Sequence, residues 1–441
     1  MTPAPYLARS PQHAVAGEPF LRRSEVLPNG LRVVAIEAPY LHSVSVVLYA
    51  KVGSRYESEA DNGLSHFLEH MLFRGTEARP EAYLVNRDLE ALGGTLYAET
   101  GRDYSLYQIS LHPESLIEGL KLFGEIFAAP VFKDIEVERR IILEEMLEDV
   151  DEDNRLVSID DLGRRAVFGE HPLGSRIIGS EDNVRRFTVE DLRRHYARAY
   201  GAKNLVLTLS GPIDLASIWP LLSASFGGLP SGTELHSPAP ELPVQRQLVF
   251  EKKSGPQTTA QLLFRAFAEP DPLYPAMAIL TRLIDDGMST RLHRRLIDEL
   301  GLAYSVQASP EIFYDCGLYE IEGTAQHKNV AELVRESLGL LTALCDTPPS
   351  IEELEKAKRR YRWDLEASFD DPDALAGWFG GAALYHVPLG YGDKISRLAA
   401  VTADDVTRAA QAMRGGGVVA AIVGQLRPKA EAEVRALLDG F

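Results

Sequence analysis

Apolar and polar positions along this chain alternate at two spacings. The stretch "GLSHFLEHMLFRG", residues 63 to 75, places Leu64, Phe67, Leu68, Met71 and Leu72 at the spacing of one helical face, and sets His66, Glu69 and His70 among them. "GLRVVAIEA" and "SVSVVLYAKVG" just before it read as strands, as do "RQLVFEKK" and "TTAQLLFRAFA" before a later helix. "GTLYAETGRDYSLYQISL" is answered by "LAYSVQASPEIFYDCGLYEIEGTA", and the helix "PESLIEGLKLFGEIF" by "NVAELVRESLGLLTALC".

The clearest correspondence closes each half. "FTVEDLRRHYARAYGAKNLVLTLSG", residues 187 to 211, predicts a Thr-capped amphipathic helix, a glycine turn and a buried strand. "AVTADDVTRAAQAMRGGGVVAAIVG", residues 400 to 424, repeats that order at an offset of 214 between Thr188 and Thr402 (402 minus 188) and 213 between the final glycines (424 minus 211). Between the halves, "GLPSGTELHSPAPELPVQ" carries four prolines and little periodicity. The expectation is an α+β chain of two homologous α/β sandwich domains, mostly antiparallel sheet packed with helices: 20–228, a linker 229–245, and 246–441.

Aligned by its flanks, Gly63 falls opposite Pro275 and Gly75 opposite Gly287, so His66, Glu69 and His70 face Ala278, Thr281 and Arg282. In this register one copy keeps the helix without the polar triplet. Folding alone therefore does not account for the triplet.

At 441 residues, 45% hydrophobic and 25% charged, the chain has the balance of a soluble globular protein. A formal charge of -18 argues against a broad nucleic-acid or anionic-membrane surface. Cys316 and Cys345 offer neither a disulfide scaffold nor a cysteine metal site. The N-terminal stretch has no apolar core of signal-peptide length, and no run long enough to span a bilayer occurs, so the expected location is cytoplasmic, or periplasmic if a leader was removed.

Residues i and i+4 of a helix lie on one face about 5 to 6 Å apart at Cβ, so His66 and His70 can close on one ion. Glu69 points at the rim of that face, where a carboxylate can hold a water. A catalytic zinc site takes three protein ligands and leaves a fourth position open. The acidic stretch "DIEVERRIILEEMLEDVDED", residues 134 to 153, reads as a helix and offers Glu136, Glu138, Glu144, Glu145 and Glu148 as the third.

H-x-x-E-H followed 75 residues later by a glutamate (145 minus 70) resembles the inverted-motif metallopeptidases of the insulinase, pitrilysin and mitochondrial processing peptidase family, in its half-length two-domain form. The likeness extends over "LPNGLRVV", "GLSHFLEHMLFRGT", "GGTLYAET", "HPLGSRIIGS" and "GLAYSV". It implies one zinc ion per chain held by His66, His70 and Glu145, with Glu69 as general base and Glu138 as a carboxylate orienting the site. Helix rotation agrees, since Glu138 and Glu145, seven apart, share a face that Glu144 does not.

The resemblance further implies a zinc endopeptidase acting on peptides or unfolded segments, with substrate added as a strand beside Tyr97, Ala98, Glu99 and Thr100. Tyr97 departs from the family's usual asparagine. Tyr304 matches a tyrosine that supports the cleaved carbonyl; the arginine expected seven residues earlier is replaced by Ile297, so either Arg294, one helical turn before Ile297 and on its face, takes that role or Tyr304 acts alone. Half-length members pair as homodimers or with a related subunit, and some related subunits are non-catalytic.

Overall fold

The computed structural model describes residues 17–387 and 390–441. Up to residue 16, the N-terminal stretch read above for a signal-type core lies outside the described residues. Among the described residues, no helix is long and apolar enough to cross a membrane.

The first sheet contains β1 (Leu21–Val26), β2 (Arg32–Glu37), β3 (Val44–Ala50), β4 (Thr95–Thr100), β5 (Ser105–Leu111) and β6 (Leu205–Gly211), in the order β1-β2-β6-β3-β5-β4. The second contains β7 (Gln245–Lys252), β8 (Thr258–Ala266), β9 (Ala303–Ile312), β10 (Gly317–Ala325) and β11 (Gly417–Gly424), in the order β7-β11-β8-β10-β9. Without β1 the two orders are identical. In each, the first strand pairs in parallel with the last and the remaining pairs are antiparallel. The chain is thus two α+β units of one topology.

The closing units share their caps as well. Thr188 and Thr402 each accept from the backbone three residues on, and Asp191 and Asp405 return the bond to the threonine backbone.

Helices cover both faces of each sheet, which is why β3, β6 and β11 are buried along their whole length rather than alternating. One face of the first sheet packs against Leu64–Leu72, Leu116–Ala128, Val189–Ala199 and Leu215–Phe226. Its other face, through Val34, Ile36, Val47 and Tyr49, receives Leu375, Ala376 and Phe379 of the helix Pro372–Leu384, which comes from the second half. Helix Ile159–Phe168 of the first half reciprocates, setting Val167 and Phe168 against Leu263, Leu318 and Val419.

Ions reinforce that exchange. Arg164 of the crossing helix donates to Glu311 at 2.7 Å and to Glu320 at 2.8 Å. The Pro-rich segment ahead of β7 has no helix or strand, and it lies bonded to the first unit: Ala202 donates to the Pro230 carbonyl and Asn204 to that of Thr233.

Two helices carry the candidate site. The histidine helix is Leu64–Leu72, and its counterpart in the second half is Tyr274–Ile284. The glutamate helix is Ile135–Glu145, shorter than the stretch to residue 153 that the sequence suggests. Beyond Glu145 the chain tightens into a 3-10 turn, Met146–Asp149. Clustered carboxylates at the negative end of a helix dipole favour ending the α-helix there.

Candidate metal centre

The histidine helix starts at Gly63, whose φ of 100° is a conformation that suits glycine. A Cβ there would stand 2.8 Å from the Ile178 carbonyl, and one on Gly179 would stand 2.5 Å from the Asn62 carbonyl. This crossing of two backbones brings Ile177 and Ile178 to the wall of the cleft in front of the histidines.

Glu57 fixes the start of the helix. Its buried carboxylate accepts from the backbone N–H of Gly63 at 2.9 Å, from that of Ser65 at 2.6 Å and from the Asn62 amide at 3.1 Å. The bonds satisfy two unpaired donors of the first turn and place negative charge at the positive end of the dipole. Burial nonetheless pushes the Glu57 pKa upward, against the pull of those bonds. The Ser65 hydroxyl shares a hydrogen bond of 3.1 Å with His195 Nε2, and burial lowers the His195 pKa to about 3.

One turn apart on this helix, the rings of His66 and His70 lie 4.8 Å between centroids at 63°. Nε2 of His66 is 3.5 Å from Glu145 Oε1, and Nε2 of His70 is 3.7 Å from Glu145 Oε2. The three ligand atoms lie within 4.8 Å of one another. Donors about 2.0 to 2.1 Å from a tetrahedral zinc sit roughly 3.4 Å apart, so two imidazoles and a carboxylate at these separations would fit that ion.

Behind His70, Nδ1 meets Glu138 Oε2 at 3.1 Å, and the other Glu138 oxygen pairs with Arg74 at 3.2 Å. Glu138 is 6% exposed. A buried carboxylate on the far nitrogen of a ligating imidazole sets its tautomer and orientation. Burial pulls the His70 pKa down, but the Glu138 hydrogen bond and the charges of Glu69, Glu145 and Glu138 outweigh it, and the net shift is upward. Glu145 is shifted downward, chiefly by its hydrogen bond with His66.

Glu69 lines the same cleft and accepts a hydrogen bond from the Thr100 hydroxyl. Ala98, Glu99 and Thr100, at the end of edge strand β4, form another wall with Glu148, Asp149 and Asp161. Arg176 pairs with Asp149 at 2.7 Å and with Asp161 at 3.0 Å. Tyr97 points to solvent at 53% exposure and donates its hydroxyl to Glu99 at 2.9 Å.

Tyr304 and Arg294 are not among the residues of this cleft. Tyr304, on edge strand β9, is 92% exposed. Arg294 opens a π-helical turn, Arg294–Glu299, and pairs with Glu299 at 2.8 Å. The wider π turn removes the α-helical basis for placing Arg294 on the face of Ile297. Glu57, Ser65 and the Thr100–Glu69 bond escape sequence reasoning. His195 does leave a trace, since it shares the buried stripe of Leu192 and Ala199 on its helix.

Comparisons with known proteins find relatives of this chain by sequence and by fold. The family profile described as "Insulinase (Peptidase family M16)" matches residues 32–181, and "Peptidase M16 inactive domain" matches residues 186–361. A Streptomyces coelicolor protein named an uncharacterized zinc protease is 28% identical over 92% of this chain and 90% of its own. One of the same description from Rickettsia felis is 30% identical over 77% of this chain and 82% of its own. The crystal structure of a protease from Helicobacter pylori shares the fold with a TM-score of 0.83 at 21% identity, over 92% of this chain and 99% of that one.

Proposed function

The chain belongs to the insulinase family of peptidases, family M16, and on that premise we propose that it is a zinc-dependent endopeptidase acting on peptides or unfolded segments. One observation carries the reading: two imidazoles and a carboxylate from two helices converge beside Glu69, in a cleft bordered by an open strand edge.

His66 and His70 present Nε2, and Glu145 its carboxylate, as ligands for one zinc ion, while Glu138 holds His70 in place. Held by these three residues, a zinc ion would supply Lewis-acid polarisation of the scissile carbonyl and a lowered pKa for water. Glu69 takes the proton of the attacking water and delivers it to the leaving amine. Among the described residues β4 pairs only with β5, so its open edge can accept an extended peptide as an added strand, with backbone bonds giving affinity and little sequence selection.

The arrangement also favours a pair of chains, as a homodimer or with a related subunit. Tyr304, exposed on β9 and outside the cleft of its own chain, supports this reading, since across a pair its hydroxyl would support the cleaved carbonyl in the partner's cleft.

A second reading, a non-catalytic subunit of a processing peptidase, is favoured by the match of residues 186–361 to an inactive-domain profile. The candidate ligands all fall in residues 32–181, matched by the other profile. Incubation with a peptide library, read by mass spectrometry, decides between the two. Cleavage abolished by a chelator and restored by zinc supports the peptidase; a protein that cleaves nothing with zinc supplied supports the subunit.

A further inference from the structure

We infer that Thr100 is a positioning residue that holds Glu69 in place as general base; this rests on the peptidase reading above. Thr100 is the last residue of β4 and 8% exposed, and its hydroxyl donates to Oε2 of Glu69. That bond ties down one carboxylate oxygen and, among the described residues, leaves Oε1 without a hydrogen bond. In the reaction a water O–H bond breaks as the Oε1–H bond forms, and the same proton then passes to the leaving nitrogen, which returns Glu69 to its starting state.

The surroundings make Thr100 a rigid support. Its backbone partner is Ser105, whose hydroxyl donates to the Val52 carbonyl at 3.1 Å. Gly101 donates to the Tyr104 carbonyl at 2.8 Å, closing the turn just after Thr100. Arg102, buried, donates to the Leu173 carbonyl at 3.3 Å, to Asp160 at 2.7 Å and to Asp161 at 3.2 Å. Asp103 accepts from the Tyr314 backbone at 2.9 Å, so the turn between β9 and β10 clamps the same loop.

β4 can therefore receive a peptide along its open edge while its last residue stays tied to the base. A hydroxyl that served only the strand would have no need to reach Glu69. Alignment of the reacting group, rather than substrate affinity, is what this bond supplies.

The test compares zinc-loaded wild type, Thr100→Val and Thr100→Ser. Valine keeps the β-branched shape and the strand preference and removes only the donor, while serine keeps the donor. Losing a hydrogen bond to a charged group should lower kcat of Thr100→Val about 10- to 100-fold. KM and zinc content should stay within about twofold of wild type and Thr100→Ser should recover to within about threefold, since binding and metal do not depend on the donor. The inference is overturned if Thr100→Val keeps wild-type kcat, if its loss lies in KM or in zinc, or if Thr100→Ser is as impaired as Thr100→Val. A zinc-loaded wild type that cleaves nothing overturns the peptidase reading and this inference together; an active wild type with unimpaired Thr100→Val overturns this inference alone.

Discussion

Replacing Glu138 by alanine takes away the carboxylate against which His70 is held. The bond lost is 3.1 Å long, made from a buried carboxylate to the nitrogen on the far side of a half-buried imidazole from the candidate metal. A hydrogen bond to a charged group contributes about 1.5 to 3 kcal/mol, and partners of this kind typically govern 10- to 100-fold in metal affinity. Arg74 loses its bond to Glu138 but keeps Asp134 at 3.3 Å, so no isolated buried charge is left. Glu138→Ala should therefore weaken zinc binding about 10- to 100-fold with the fold intact, and Glu138→Gln, which keeps a carbonyl acceptor, should fall between it and wild type. Competition against a chromophoric chelator measures the affinities, and thermal melts of the metal-free proteins check the fold. Glu138→Ala within twofold of wild type, or Glu138→Gln weaker than Glu138→Ala, would show that Glu138 does not hold His70 for the metal.

Two further predictions concern stability. The unfolded chain protonates His195 near pH 6.5, whereas the folded chain keeps it neutral until about pH 3, so this residue removes stability as pH falls through that window. Its share between pH 6.5 and 5 is about 2 kcal/mol, and urea unfolding of His195→Gln should show a correspondingly flatter pH dependence; identical slopes contradict it. Gly179 has φ +81° and no room for a Cβ, so Gly179→Ala should destabilise by roughly 2 to 4 kcal/mol, read from denaturant midpoints; an unchanged midpoint contradicts the close crossing at Gly63.

The duplicated plan is legible in the sequence because helix caps and buried strands leave linear marks. Thr188 with Asp191 and Thr402 with Asp405 bracket equal units, and the two sheets repeat one strand order. His66 and His70 share a face by spacing alone, and Glu138 and Glu145 do the same on the second helix. Which helix lies on which sheet is not legible. The apolar faces of Ile159–Phe168 and Pro372–Leu384 state that something covers them without naming the partner, and each crosses to the other unit. The supports of the site are hidden for a similar reason. Glu57 reaches back to a helix that starts at Gly63, and Thr100 meets Glu69 only because the edge strand folds beside the histidine helix. Tyr97 shows the pleat at work, since alternation turns it to solvent while Thr100, three positions on, turns in.

The proposed peptidase cleaves peptides with one zinc ion and Glu69 as the base. Peptide cleavage by zinc-loaded Glu69→Gln, with metal content measured on the same sample, tests it most directly. The expected result is one zinc per chain as in wild type and a rate lower by about 100- to 10,000-fold, the range a positioned acid-base group supplies. Wild-type cleavage by metal-bearing Glu69→Gln would contradict it.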